Sequence, residues 1–382
     1  MIILIKKFME IFILFATFCY AFGTFFLAWR WAKIPEFVPK NTKNDLKIAL
    51  IVVLRNEEKN ILDLLNDIEK QTFDKQNLEI YLINDHSSDS SLQIISAFKA
   101  KTNLLIKIYD LETEFISPKK AGISWAVHQT SAELILCTDA DCRLLPTWIS
   151  TISSFYLQKN RPALISSPVT FCFSEHIFTN LQIVEFASLI GSAAVFLDLK
   201  KPNMCNGANL AFRRDAFLEV GGYLGFENIA SGDDEFLMHK IFAKYPKKVL
   251  FLKSKQVIVK TQANFSLKQF LEQRKRWASK WKFYKNISTK ILALLVFSYQ
   301  ILFIYALFLL FSNNAENIVI IFSHFLLKFI ADFVFLAQIL IFLGYSKNRF
   351  LIFPCQFLYP FYVIWVGISS QLGTFEWKGR KY

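Results

Sequence analysis

The sequence predicts an α/β domain with a doubly wound sheet, preceded by one apolar helix and followed by about three. Three observations carry this. The apolar residues of the 382-residue chain crowd at its two ends. Its middle alternates short β-rich apolar runs with stretches of helical periodicity, the pattern of parallel strands joined by right-handed crossovers. The Lys and Arg residues, which set a formal charge of +13, collect beside the apolar ends.

Taken in order, the stretch Phe8 to Trp29 is apolar except for Glu10, follows Lys6 and Lys7, and has about the length that crosses a bilayer. It ends in Phe25, Phe26, Leu27 and Trp29 rather than in small residues, which predicts an uncleaved anchor over residues 1–30 and not a signal peptide. Ile48 to Leu54 reads as a strand buried on both faces. The polar turn Arg55-Asn56-Glu57-Glu58 then leads into a helix with Ile61, Leu64, Leu65 and Ile68 on one face. The unit repeats with strand Leu78 to Ile83, turn Asn84 to Asp89 and helix Leu92 to Phe98, and Leu104 to Ile108 and Leu134 to Thr138 supply further strands. In such sheets ligands bind at the carboxyl ends of the strands.

Past residue 288, Ile291 to Phe311, Ile318 to Leu343 and Phe350 to Leu372 are each near span length and separated only by short polar breaks. The resulting division is an anchor over 1–30, a soluble domain over 45–262, a basic amphipathic helix over 263–288, apolar helices over 289–373 and a basic tail over 374–382. Basic clusters at Arg30 to Lys47 and Lys268 to Lys290 flank the apolar runs, the positive-inside pattern. It places residues 45–285 in the cytoplasm of an integral membrane protein, against anionic lipid, and accounts for the charge without nucleic acid. Three full crossings would leave the basic tail on the far side, so one apolar run is expected to be re-entrant or interfacial. The six cysteines are scattered, with neither zinc spacing nor a disulfide framework.

Four polar clusters carry chemistry. Asp139-Ala140-Asp141 follows a strand. Carboxylates at i and i+2 on extended backbone point the same way and can share one hard cation, Mg²⁺ or Mn²⁺, with phosphate oxygens. The plain alternative is a strand-ending turn. Asn84 to Asp89 offers Asp85 to a nucleotide, or is an Asx-rich turn with Asp89 capping the next helix. Ser231-Gly232-Asp233-Asp234-Glu235 opens a helix over Phe236 to Ala243, either as a capping box of Ser231 with Asp234 or with a carboxylate fixed as general base. Gln273, Arg276 and Trp277 share a helix face that can cover a diphosphate and an acceptor; the alternative puts Phe270, Trp277 and Trp281 in lipid and the lysines in water.

The series Arg55-Asn56-Glu57-Glu58, Asp85, Asp139-x-Asp141, Asp233-Asp234 and Gln273-x-x-Arg276-Trp277, followed by apolar helices, resembles glycosyltransferase family 2 over residues 45–285. More narrowly it is similar to the branch with cellulose and hyaluronan synthases and ceramide glucosyltransferases, whose cytosolic tails the Trp377-Lys378-Gly379-Arg380-x-Tyr382 ending also resembles. The resemblance implies a GT-A fold, Rossmann-like in its sheet, and a nucleotide sugar donor, usually UDP-linked. It implies that Arg55, Glu57 and Asp85 hold the nucleoside and that Lys120 faces the diphosphate. Asp139 and Asp141 would hold Mg²⁺ or Mn²⁺ with the donor, Asp234 beside Asp233 would be the base of an inverting displacement, and Gln273, Arg276 and Trp277 would close the site. Asp233 departs from the usual Glu. Met204 to Asn209, with Cys205, Asn206 and Gly207, stands where cellulose synthases carry an acceptor motif, and a plain glycine turn is its alternative.

The implied reaction moves one sugar to a lipid or lipid-linked glycan acceptor. A processive polysaccharide synthase needs a channel that three helices hardly supply, although Lys328 and Asp332, at i and i+4, could line a polar cavity or simply neutralise each other. A non-catalytic nucleotide-sugar sensor on the same domain is the reading from another class, favoured if the acidic positions lie apart in space.

Overall fold

The computed structural model describes residues 2–40, 45–113, 115–283, 287–310, 315–372, 376–377 and 380–381. Half of the polar break Ser312–Asn317, residues 312–314, and much of the C-terminal tail, including Lys378, Gly379 and Tyr382, lie outside the described residues, as does the side chain of Trp281. In chain order the elements are α1 (Ile2–Lys33), β1 (Ile48–Leu54), α2 (Ile61–Glu69), β2 (Leu78–Asn84), α3 (Ser91–Lys99), β3 (Leu105–Asp110), α4 (Pro118–Gln129), β4 (Leu134–Cys137), α5 (Trp148–Gln158), β5 (Leu164–Ser166) and β6 (Val169–Phe171). There follow α6 (Ile177–Asp198), β7 (Leu210–Arg213), α7 (Arg214–Glu219), α8 (Asp233–Lys244), β8 (Val249–Phe251), β9 (Val259–Thr261), α9 (Leu267–Ala278), α10 (Ile287–Leu309), α11 (Ala315–Phe342) and α12 (Ile352–Leu372). The chain forms two compact units, residues 35–172 with 196–263, and residues 1–34, 173–195 and 264–382.

The first unit is built on a seven-stranded sheet of order β3-β2-β1-β4-β7-β5-β8. The strands β1 to β4 run parallel, with Leu54 beside Asn84 and Ile51 beside Cys137, so their carboxyl ends share one edge. The parallel run stops at β7, which is antiparallel to both β4 and β5. The sheet is therefore mixed. Ile48, Leu50, Val52 and Leu54 are buried, as are the predicted core positions Ile61, Leu64, Leu65 and Ile68 of α2. Each such side chain contributes roughly 1.5–3 kcal/mol when fully buried. Helix α4 lies tight on the sheet because Gly122 leaves room: a Cβ there would stand 2.8 Å from Ile83 Cγ2. A separate parallel pair, β6 and β9, sets Val169 beside Val259.

The other unit is helical. Among the described residues five helices are long and apolar enough to cross a membrane, at Met9–Lys33, Ile177–Asp198, Thr289–Leu309, Ile318–Phe342 and Ser346–Leu372. Four answer to the predicted runs; Ile177–Asp198 was not foreseen, and residues 173–195 group with the apolar helices although they fall inside the stretch 45–262. Lys328 Nζ donates to Asp332 Oδ2 at 2.7 Å and to Gln356 Oε1, while Tyr20 Oη donates to Asp332 Oδ1 at 2.7 Å. The pair thus neutralises itself among protein neighbours.

Candidate active site

The carboxyl edge of the parallel strands gathers three of the four polar clusters. After β1 and β2, Asp85 N donates to Leu54 O at 2.8 Å, and the Asp85 side chain is almost fully buried. Arg55 Nη1 donates to Asp85 O at 3.0 Å and lies 3.9 Å from its carboxylate, which also has His86 Nδ1 at 3.1 Å. Asn56 and His86 take left-handed backbone, φ 54° and 53°, so both strands end in sharp turns. The two turns are laced together. Glu57 N donates to Ser91 Oγ at 2.8 Å, Ser88 N to Asn56 Oδ1 at 2.8 Å, and Glu58 N to Asp89 Oδ2 at 3.0 Å. Asp89 Oδ1 accepts from Ser91 N, but the N-cap of the helix is Ser90, one residue past the Asp89 that the sequence suggests. Burial tends to raise the Asp89 pKa, but the Ser91 hydroxyl and the Glu58 and Ser91 N–H groups hold it below the usual carboxylate range.

One strand along, Ala140 and Asp141 form a turn, with Cys142 N donating to Asp139 O at 3.2 Å, so the extended stretch expected there is absent. Asp139 accepts from Lys119 Nζ at 2.6 Å, whereas Asp141 accepts from Thr261 Oγ1 of β9 at 2.8 Å. Lys119 Nζ also stands 3.2 Å from Asp233 Oδ2 at the start of α8. Burial would lower the Lys119 pKa, but Asp139, Asp233 and Asp234 overcome it and hold it well above the ordinary lysine value. Among the described residues no three His, Cys, Asp or Glu side chains are placed to hold a metal ion by themselves.

Asp234 is fixed by main-chain donors: Gly207 N reaches its Oδ2 at 2.9 Å and Glu235 N its Oδ1 at 2.8 Å. A Cβ on Gly207 would meet Asp233 Oδ2 at 2.9 Å and Lys119 Nζ at 3.0 Å, so only glycine lets this loop approach the charges without displacing them. The loop itself is pinned. Thr138 Oγ1 donates to Ala208 O at 2.9 Å, and buried Asn209 donates to the carbonyls of Pro168 and Val257 while accepting from Trp148 Nε1 at 2.9 Å. Cys205 is buried beside it, and Asn206 Oδ1 accepts from Ala208 N. The capping box of Ser231 with Asp234 does not form, because Gly232, at φ 81°, is the N-cap.

Thus Asp139, Asp233, Asp234 and Gly207 gather around one ammonium, which counts against the sensor reading. That ammonium is Lys119. Lys120, the lysine the motif points to, is buried, with Nζ donating to the carbonyls of Phe226, Ile229 and Ser231 at 2.8, 2.6 and 3.0 Å. Helix phase explains the exchange: neighbours in a helix diverge by about 100°. Sequence reasoning missed Lys119 and Asn209; the doubled lysine at the head of α4 was the available signal for the first.

Gln273, Arg276 and Trp277 lie on α9, in the other unit. There Gln273 Oε1 accepts from Asn264 Nδ2 at 2.9 Å and from Arg274 Nη1 at 2.5 Å. Arg274, which the sequence did not single out, is buried, paired through two bonds with Glu185 of α6, and stacked 4.3 Å from the Trp277 ring centroid. Phe270 packs on Phe178 and Tyr362 instead of facing lipid.

These features can be set beside known proteins. Over 96 residues the chain is 38% identical to the poly(ribitol-phosphate) β-N-acetylglucosaminyltransferase TarS of Staphylococcus aureus, a quarter of this chain and 16% of that protein. It is 28% identical over 180 residues to the poly-β-1,6-N-acetyl-D-glucosamine synthase of Staphylococcus epidermidis, covering 46% of this chain and 41% of the relative. These matches therefore span less than half the length of either relative. In fold, the chain is similar to the mannosyltransferase PcManGT of Pyrobaculum calidifontis, with TM-score 0.57 at 15% identity over 95% of this chain and 99% of that one. The mixed sheet with its charged carboxyl edge is thus a GT-A fold. The family model described as glycosyl transferase family group 2 matches residues 134–366, more than half of the chain, and so takes in β4 with Asp139, the Gly207 loop and the Asp233-Asp234 pair. With fold, motif order and family model in agreement, this chain belongs to the family described as glycosyl transferase family group 2.

Proposed function

We propose that the enzyme moves a single sugar, with inversion, from a nucleoside diphosphate sugar, UDP-linked, to a lipid or lipid-linked glycan at the cytoplasmic face of a membrane. The observation that carries this is the Lys119 ammonium held between Asp139 and Asp233, with Asp234 fixed beside it by Gly207 N. Such a preorganised charge pattern suits a reaction in which negative charge grows on a leaving diphosphate while an acceptor hydroxyl loses its proton.

Asp85, Arg55 and Glu57 are assigned to the nucleoside, at the switch of strand order where open sheets take such ligands. Lys119 replaces Lys120 as the cation that meets the diphosphate. Asp234, whose oxygens are aimed by two main-chain N–H groups, takes the proton from the acceptor hydroxyl; Asp233 holds Lys119 in place. Cys205, Asn206 and Gly207 form the acceptor-side loop. Gln273, Arg276 and Trp277 enter through the family motif they match.

A divalent cation fits this residue set in one way. Asp139 already attracts a cation at 2.6 Å, and with no three-acid cage among the described residues the donor's phosphate oxygens must complete the coordination. Asp139 and Asp141 would hold Mg²⁺ or Mn²⁺, which supplies neutralisation of diphosphate charge. The similar PcManGT was solved with GDP-mannose and Mn²⁺. The five apolar helices among the described residues support membrane attachment, and the basic flanks support the cytoplasmic orientation.

The test is incubation of the purified protein with a panel of nucleotide sugars and a membrane lipid extract, with products identified by mass spectrometry. One sugar of inverted configuration on a lipid is the expected product. A polymer would replace single transfer by processive synthesis, and no product from any donor would reject the assignment.

A further inference from the structure

We propose that Lys120 is a positioning residue: it ties the connection between α7 and α8 to the head of α4 and so aims the Asp233-Asp234 pair, without itself meeting the donor. The proposal rests on the reading of Asp233 and Asp234 given above. Three carbonyls, of Phe226, Ile229 and Ser231, converge on its ammonium at 2.6–3.0 Å, one for each N–H group. Such convergence needs unusual backbone. Residues 221–232 contain four glycines in left-handed conformation, Gly221, Gly222, Gly225 and Gly232, which let the backbone turn sharply enough to bring these carbonyls together.

Tyr223 anchors the start of the connection, buried with its ring centroid 5.4 Å from that of Phe217, but the stretch after it is lightly held. Leu224 is 69% exposed, and Gly225, Glu227 and Asn228 are exposed as well. There Phe226 stacks on Phe236, ring centroids 4.3 Å apart, and Lys120 Nζ lies over the Phe236 ring, 5.3 Å from its centroid. At the far end Lys240 of α8 repeats the device, donating to Gly222 O at 2.7 Å and Leu224 O at 3.2 Å. The last carbonyl that Lys120 holds, Ser231, is separated from Asp233 only by Gly232. Gly232 is thus a left-handed link between the tied carbonyl and the two carboxylates: Lys120 holds the loop side of that link, while Gly207 N and Lys119 hold the acids themselves. The adjacent lysines therefore divide the work, Lys119 meeting charge in the cleft and Lys120 fixing the backbone that carries the acids.

The experiment uses the full chain with Lys120→Met and Lys120→Arg. Hydrogen–deuterium exchange of peptides spanning 225–232 is expected to speed up at least ~10-fold in Lys120→Met and less in Lys120→Arg, with the strands unchanged. Turnover of the donor used fastest by the wild type is expected to fall ~10- to 100-fold while its KM stays within about threefold. Unchanged exchange overturns the proposal, and so does a large rise in KM with turnover kept, which would return Lys120 to the diphosphate. If the wild type turns over no donor, the functional reading fails, and exchange alone still decides the role of Lys120. If neither variant accumulates, lysine acetylation mapped by mass spectrometry on the wild type decides. Lys120 unmodified with and without UDP supports the proposal; Lys120 modified and then protected by UDP overturns it.

Discussion

Replacing Lys119 by methionine keeps the stem of the side chain and removes the one charge that Asp139 and Asp233 share. Two unit charges about 4 Å apart attract by about 4 kcal/mol at an effective dielectric near 20, and an exposed pair retains only about 1 kcal/mol or less. Here the Asp139 side chain is 40% exposed and that of Asp233 18%, so the first contact is largely screened and the second less so. A combined ~2–3 kcal/mol corresponds to roughly 30- to 100-fold. Two opposite effects follow. Without a competing ammonium, the acids should bind Mn²⁺ more tightly by about that factor in the absence of nucleotide, as read from the free-Mn²⁺ electron paramagnetic resonance signal. Sugar transfer should fall by a similar factor, because the leaving diphosphate loses a counter-charge. The raised pKa of Lys119 keeps the ammonium charged below the ordinary lysine value and loses it only as pH rises beyond that value. Both effects should therefore be the same at about pH 6.5 and about pH 8.5. Unaltered Mn²⁺ affinity together with unaltered turnover would refute the reasoning.

Other substitutions probe neighbouring parts. Asp234→Asn should abolish transfer yet leave UDP binding within about threefold by calorimetry; near-wild-type transfer removes Asp234 from the role of base. Gly207→Ala should fold with a stability loss of about 1 kcal/mol or less, since the atoms its Cβ meets at 2.9 and 3.0 Å are side-chain ends, but turnover should drop at least ~10-fold as Asp233 and Lys119 shift. Glu79 accepts from Tyr81, Lys107 and Thr130 at 2.7, 3.0 and 3.0 Å. Burial acts to raise its pKa, yet these bonds hold it below the usual range, so its contribution is present above the ordinary carboxylate value and is lost as pH falls through the depressed one. Glu79→Gln should lower the melting temperature at neutral pH by the equivalent of about 1 kcal/mol and flatten the acid limb, as followed by intrinsic fluorescence; an acid limb as steep as the wild type's would exclude Glu79 as its source. Asp332→Asn leaves Lys328 buried without its carboxylate and should cost about 3–5 kcal/mol, read as a lower melting temperature in detergent; an unchanged value would show that the pair does not stabilise the bundle.

Legibility followed the range of the physics involved. Strand β1 and the apolar face of α2 were readable because burial on two faces, or on one helical stripe, leaves its period in neighbouring residues. The acids at the strand and helix ends were readable for the same reason, each lying just past a periodic segment. Three features were not. The four-residue strand β7 owes its antiparallel place to pairing with β4 and β5, which no local pattern encodes. Helix α6 was masked by Glu185, whose charge is met by Arg274 about ninety residues later and by Tyr362 still further on. Which of Lys119 and Lys120 faces the acids depends on the helix phase of α4, and the family pattern names the residue that turns away.

The order in which the two units alternate along the chain bears on how the protein is made. No single cut separates them, because residues 173–195 of the helical unit interrupt residues 35–172 and 196–263 of the other. During synthesis β4 and β5 leave the ribosome before β7, the strand that lies between them. Until then their facing edges lack a hydrogen-bonding partner, a state that invites pairing with other chains. An apolar helix of span length, α6, emerges in that same interval. The nascent chain therefore carries an uncovered apolar helix of the other unit before its sheet can close, so the covering of α6 is a condition of folding rather than a step after it.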